Sequence, residues 1–454
     1  MRPSAAHLAE ARRILALAWP VVLTSLNWTI LHVTDVIFVG MTGTEQAAWL
    51  GASRALTFIG IVMALGAMSG VLVHVSRADG AGDKPATGRI FHEGLALGGL
   101  LGLASGLILF LFAEPLLDLI GVDRAIAHGA AAVVRVMALA YPFQLIIIAA
   151  SFFLEGVSRP RRVMVVNLIM LPLNALLAWA LSDGHLGLPA LGAVGAAGAT
   201  AIASALGATG MLVAAWTLPG ARERCVHTLG HVRSREFLRG IRRLVLFGTM
   251  PALASGLELA GFSILIALST QLGDATAHAF QIVFSIHNLT FSVALGLGSA
   301  AGVRAGNAVG EGVPWAAGGR AAIAAVIAGV STGLGALLLI AAARDVVALF
   351  PATHDVHALA LMMVPIWAPF ILFDGLQVVF VYALRSLGDQ VVAGINSILA
   401  FFVVTGGLGL VLVHAGWGPT GLVLASGIGM VAAAVLHGAR LAWISRRFRS
   451  RSSD

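Results

Sequence analysis

Charge is scarce in this chain. Asp, Glu, Lys and Arg make up 11% of its 454 residues, against 59% hydrophobic residues and a mean hydropathy of +0.94. A soluble domain carries about 25% charged residues and cannot hide so much apolar surface, which excludes a water-soluble globular enzyme. Cysteine is almost absent: Cys225 stands alone, so no internal disulfide can form. The signatures of catalysis and of ATP use are missing as well. His92-Glu93 is followed by Ala96 where an H-E-x-x-H zinc helix needs its second His. Gly66-Ala67-Met68-Ser69-Gly70 has the wrong spacing for a G-x-S-x-G nucleophile elbow. No Walker A sequence occurs, so ATP is not the direct energy source, and neither enzymatic activity nor an organic cofactor is expected.

What is present is a succession of apolar runs, each long enough to cross roughly 30 Å of hydrocarbon. Gly, at 54 residues, is abundant, as it is where helices pack closely in lipid. The residues after Met1 lead into an apolar stretch too long for a signal-peptide core and without a cleavage signal, so an uncleaved first span is expected. The expected fold class is therefore an all-α polytopic membrane protein of twelve transmembrane helices. Six spans are predicted at about Ile14–Gly40, Ala47–Ala78, Arg89–Phe112, Ala130–Gly156, Val163–Leu181 and Leu191–Leu218. A basic connector follows at 220–240, and then spans at about Ile241–Gly273, Ala275–Asn307, Ala316–Ala343, Leu359–Arg385, Val391–His414 and Pro419–Ile444. The expected domains are an amino-terminal six-helix lobe (1–219), this connector, and a carboxy-terminal six-helix lobe (241–454).

The net charge of +7 and pI near 11.0 do not point to nucleic acid, because the basic residues sit in short loops and at the two ends. With twelve spans, all the Arg and Lys fall on the side of the termini except Arg54, Arg124, Arg135 and Arg344, which leaves 24 of 28 there. Both termini are predicted to be cytoplasmic by the positive-inside rule. The connector's arginines (Arg222, Arg224, Arg233, Arg235, Arg239, Arg242 and Arg243) read as topology signals with attraction to anionic lipid.

The chain also repeats itself. Residues 64–82 and 294–312, laid together at an offset of 230, are identical at Ala64, Leu65, Gly66, Ser69, Val73, Ala78, Gly80 and Gly82. Pro20 and Pro251, each near the start of its half, lie about the same distance apart. These features predict an internal duplication, with two lobes related by a pseudo-twofold axis along the membrane normal and a cavity between them. The prolines read as packing features that permit a bend.

A carboxylate inside a membrane helix is costly and usually faces a partner or a cavity. Asp35, Glu258 and Asp374 qualify; the competing reading of each is a protonated, hydrogen-bonded packing residue. Glu93 and Glu155, near cytoplasmic ends, read as structural partners of nearby Arg. Two nearby carboxyls would titrate as a coupled unit and could hold a proton or a small cation. Arg54 and Arg135 read either as ion-pair partners or as side chains snorkelling to the interface. His74, His278 and His287 lack a second ligand at metal-like spacing and read as packing or interfacial residues.

Gly302-Val303-Arg304-Ala305-Gly306-Asn307, ending in Gly310-Glu311-Gly312, resembles the signature that closes the eighth helix of multidrug and toxic compound extrusion (MATE) transporters. Thr34-Asp35 with Gly40 is similar to that family's first-helix segment, and Phe373-Asp374-Gly375-Leu376-Gln377 with Leu384-Arg385 to its tenth-helix pattern. Glu258 paired with Asp374 resembles the NorM-like bacterial branch. The resemblance implies a secondary antiporter that exports amphipathic, often cationic organic compounds in exchange for H⁺ or Na⁺. It implies Asp35 as the amino-terminal carboxylate, with Asn174 and Thr200 as polar partners, and Glu258 and Asp374, with Gln377 nearby, as the carboxy-terminal site for H⁺ or Na⁺. Phe370 stands where members of that branch can show Tyr, and Ala178 where some carry a second acid. Small organic substrates and membrane lipids are the expected partners, in a monomer of the bacterial inner membrane. A lipid-linked precursor flippase of related plan is the alternative, although the mid-span cations are only Arg54 and Arg135.

Overall fold

The computed structural model describes residues 5–230 and 234–453, so Arg233 of the connector lies outside the described residues. Every regular element among them is helical. That follows from the composition, because a spanning segment in lipid must satisfy its own backbone hydrogen bonds.

The first series of helices is α1 (Ala5–Thr42), α2 (Thr44–Gly80), α3 (Lys84–Leu111), α4 (Ala113–Leu119), α5 (Arg124–Ala138), α6 (Tyr141–Gly156), α7 (Pro160–Asp183) and α8 (Gly192–Trp216). The second is α9 (Arg235–Gln271), α10 (Asp274–Gly310), α11 (Pro314–Ala341), α12 (Ala343–Ala348), α13 (His354–Trp367), α14 (Ile371–Ser386), α15 (Gln390–Ser397), α16 (Leu408–Leu412) and α17 (Gly418–Ser453). Adding 230 to the limits of α2, α3 and α6 gives the limits of α10, α11 and α14 to the residue. The repeat legible in nineteen positions of sequence therefore governs the order and length of most elements in each half. Even the turn between the second and third helices is repeated: Gly82 and Gly312 have φ of +73° and +77°, a left-handed conformation that glycine adopts without strain. The series diverge at the end. Where α7 is one helix, its counterpart runs from α15 through π-helical turns at Ile398–Gly407 and Val413–Trp417, then breaks at Gly416 and Gly418 with φ of +85° and +53°.

Among the described residues, ten helical stretches are long and apolar enough to cross a membrane, or eleven if α5 and α6, bent by 47°, form one span. The expected fourth span falls on this bent pair, and the count of ten or eleven stops short of the twelve expected. The eleventh and twelfth lie within one stretch, Gln390–Ser450, of 61 residues. Leucines stand out from the protein surface, such as Leu103 on α3 and Leu337 on α11, 62% and 66% exposed. Lipid, not water, is the solvent such side chains suit.

By contacts the chain forms two compact units. One comprises Met1–Val22, Gly80–Gly82 and Leu253–Asp454, and the other Leu23–Asp79 and Asp83–Ala252. The division passes through α1 and α9, two residues after Pro20 and one after Pro251, so the duplicated prolines mark where each of these helices changes unit. The second unit is packed around Met68, Tyr141, Leu145 and Phe153; the first has its largest core around Leu265, Trp367 and Phe401. Close backbone approach adds to both. A Cβ on Gly248 would lie 1.9 Å from the Ala67 carbonyl oxygen, and one on Gly261 would lie 2.1 Å from that of Phe401. Lipid gives no hydrophobic drive to helix association, so such contacts matter more than in water.

The described part of the connector is docked onto the second unit. Arg224 donates to Asp79 Oδ1 (2.7 Å) and to Thr87 Oγ1 (3.1 Å), while His92 Nε2 meets the Val226 carbonyl (3.0 Å). Lys84 lies against Glu223 and holds its carboxyl below the usual carboxylate range. Arg243 donates to Glu93 Oε2 (3.2 Å), the pairing expected for that acid. Two of the connector-region arginines are thus engaged with acids of the protein itself.

Candidate functional site

Each unit contains a deeply buried aspartate with an assembled set of partners. In the unit that begins at Leu23, Asp35 of α1 is 2% exposed. Its Oδ2 accepts from Arg54 Nη2 of α2 (2.8 Å), and its Oδ1 from Asn174 Nδ2 of α7 (3.0 Å). Thr200 of α8 reaches the same carboxylate. Arg54 Nη1 donates to the His32 carbonyl (2.8 Å). Arg54 therefore turns inward to an ion pair and does not snorkel. Arg135 pairs with Glu114 (3.1 Å) at a half-exposed position. Asp35, Arg54, Asn174 and Thr200 line one cavity of this unit, together with Trp28, Thr57 and Gln144.

In the other unit Asp374 of α14 is 3% exposed. Gln377 Nε2 donates to its Oδ1 and His287 Nε2 lies against its Oδ2, both at 3.1 Å. Glu258 of α9 lies within electrostatic reach of Asp374 and of Arg385. The imidazole of His287 is surrounded by the rings of Phe262, Phe284, Phe291 and Trp367, with centroids 5.5 to 6.0 Å away. Phe370 is placed differently, against Gly427 of α17.

The duplication relates the two clusters. Subtracting 230 from Glu258, His287 and Asp374 gives Trp28, Thr57 and Gln144, and all three of those residues line the cavity of the other unit. The same frame positions are thus inward-facing in one half and carry the ionisable groups in the other. Asp35 has Leu265 as its counterpart, so the carboxylates themselves are not duplicated.

Of the residues expected from sequence, the structure brings Asp35, Asn174 and Thr200 together, and Asp374 with Gln377. His287 was expected to be a packing or interfacial residue and is instead a partner of Asp374 across 87 residues of sequence. Local spacing carries no sign of that pairing. Its counterpart in the repeat, Thr57, lines the cavity of the other unit.

The sequence pattern that defines the MatE family matches residues 20–180 and again 252–409. The chain belongs to the MatE family. The two matched blocks coincide with the duplication, and they begin at Pro20 and just after Pro251. Among MatE relatives, the probable multidrug resistance protein NorM of Caulobacter vibrioides is 31% identical over 413 residues, 90% of this chain and 86% of that protein. The protein of the same name from Deinococcus radiodurans is 33% identical and covers 92% of both chains. The crystal structure of the eukaryotic MATE transporter AtDTX14 matches with a TM-score of 0.87 at 21% identity, over 98% of this chain and 99% of that one, which establishes the shared fold. The chain is thus a NorM-like MatE protein, a multi-pass membrane transporter and not an enzyme.

Proposed function

We propose that this MatE protein is a multidrug efflux antiporter, exporting amphipathic, often cationic organic compounds in exchange for H⁺ or Na⁺ by alternating access. The observation that carries this reading is the Asp374 cluster. A carboxylate 3% exposed within a spanning segment, held by His287 and Gln377 and influenced by Glu258, is costly unless it has work to do. Two carboxyls within electrostatic reach of one another offer a place for a proton or a small cation. In this reading Glu258 and Asp374 hold the coupling ion, Gln377 and His287 orient Asp374, and Phe370 shapes the apolar surroundings. Asp35, Asn174 and Thr200 form the corresponding polar site of the other unit. Coupling requires that ion and substrate differ in affinity between the outward and inward states, or compete for one site. The relatives named as probable multidrug resistance proteins support an efflux role. The protein works as a monomer in the bacterial inner membrane with both termini cytoplasmic, in keeping with the Arg distribution.

The test is ethidium efflux from liposomes containing the purified protein, with a pH gradient and a Na⁺ gradient imposed separately. Efflux under one gradient is expected and names the ion. Absence of efflux under both, from folded protein, overturns the reading.

A further inference from the structure

A groove opens between the first turns of α3 and α9, which belong here to the same unit, beside the pair of Arg243 and Glu93. Its charged lining is Arg89, Glu93, Glu236, Arg239 and Arg243; three arginines against two glutamates leave it at +1. Glu93 is already committed to the protein. Its side chain is 8% exposed, hydrogen-bonded to Arg243 and lodged against Gly240, where a Cβ would collide with the carboxyl. The guanidiniums keep donors to spare. Arg243 directs one of its five N–H groups to Glu93, and its side chain stays 52% exposed. Arg89 is 47% exposed, and Asp83 stands 3.9 Å from it, beyond hydrogen-bond length. Arg239 is exposed and makes no hydrogen bond or ion pair among the described residues.

The register of α9 says what kind of anion fits. Arg239, Arg243 and Leu246 are spaced i, i+4 and i+7, so one helix face carries two guanidiniums and then, within a turn, a leucine 63% exposed. On α3, Leu100 lies seven residues after Glu93 and is 60% exposed. Basic groups thus border apolar surface on both walls, the order in which a phospholipid presents its phosphate and its acyl chains. We propose that this groove holds one anionic phospholipid, its phosphodiester on Arg89, Arg239 and Arg243 and its acyl chains along Leu246 and Leu100. The single negative charge of a phosphodiester matches the +1 of the lining. A zwitterionic lipid brings an ammonium group as well and loses that match. Guanidinium forks suit pairs of phosphate oxygens, which makes a defined site out of what the basic connector otherwise offers as diffuse attraction. α9 continues past Ala252 into the other unit, so the bound lipid steadies the first part of a helix that both units share.

The test titrates the full chain in detergent with three probes: dioleoylphosphatidylglycerol, dioleoylphosphatidylethanolamine and inorganic phosphate. Native mass spectrometry counts bound lipid, and thermal unfolding reads all three. One phosphatidylglycerol is expected to bind at least about tenfold more tightly than phosphatidylethanolamine, the scale of one hydrogen bond to a charged group. Phosphate alone should give no stabilisation at the same concentration. Arg89→Gln and Arg239→Gln should each weaken phosphatidylglycerol about tenfold, down to the level of phosphatidylethanolamine. Both side chains are exposed, so neither change threatens the fold. Arg242→Gln removes an equal charge from α9 outside the groove lining and should leave the preference intact. Equal binding of the two lipids overturns the proposal. So does an Arg242→Gln variant that loses as much as Arg239→Gln, the mark of diffuse attraction. Stabilisation by inorganic phosphate equal to that by phosphatidylglycerol overturns it too, as the mark of an anion site without a lipid.

Discussion

Arg304 of α10 grips Glu10 of α1 through two parallel hydrogen bonds, Nε to Oε1 at 2.6 Å and Nη2 to Oε2 at 2.7 Å, across 294 residues of sequence. A third donor, Nη1, reaches Asn307 Oδ1 at 3.1 Å. Both charged side chains are about one-tenth exposed. This fork-on-fork geometry is the strongest form of ion pair, and it fastens the first part of α1 to the repeated segment of α10.

Breaking one side of this pair leaves a charge buried without a partner, at a cost of about 3–5 kcal/mol. Glu10→Gln and Arg304→Met are therefore each expected to lower the melting temperature in detergent clearly. The double variant should lose less than the sum of the two, as a double-mutant cycle reports for directly coupled residues. Additive losses would show that the two side chains do not act as a pair.

Asp374→Asn is expected to abolish gradient-driven ethidium efflux while insertion and the size-exclusion profile stay unchanged. Glu258→Gln should do the same. His287→Ala should weaken efflux less severely, since Gln377 still holds the other oxygen of Asp374. Liposome efflux against protein amount checks all three, and wild-type efflux from Asp374→Asn would remove that residue from the coupling site.

Gly248→Ala places a methyl group 1.9 Å from the Ala67 carbonyl oxygen, in rigid backbone. Overpacking of this kind costs about 1–3 kcal/mol, so the variant should unfold at lower temperature. Gly319→Ala is the control, since a Cβ there meets nothing within 4 Å. Helix propensity favours Ala by up to about 1 kcal/mol, so that variant should be neutral or slightly more stable. Equal melting of the two would mean that helix contact at Gly248 is looser than the structure has it.

Tyr141→Phe removes the hydroxyl that donates to the Thr57 carbonyl at 2.6 Å, in a side chain 1% exposed. A loss of about 1 kcal/mol is expected from one buried hydrogen bond, with the ring packing retained. Thermal unfolding followed by Trp fluorescence measures it; an unchanged midpoint would show that the bond adds nothing net.

The sequence alone determined a good deal. Scarce charge and long apolar runs required helices in lipid, because only hydrogen bonds within the segment satisfy a backbone there. The offset of 230 between residues 64–82 and 294–312 held for whole elements, since a duplicated frame keeps its helix lengths while its side chains diverge. Asp35, Glu258 and Asp374 stood out because isolated acids are expensive in such helices. The tertiary structure alone decided who meets whom. Arg54 could have reached the interface or Asp35, and both fit its flexible stem; packing of α2 beside α1 sets the ion pair. His287 had no neighbour in sequence to betray it, and only the placement of α10 against α14 brings it to Asp374. Periodicity and composition act along the chain, whereas a partner 87 or 294 residues away is chosen by packing in three dimensions.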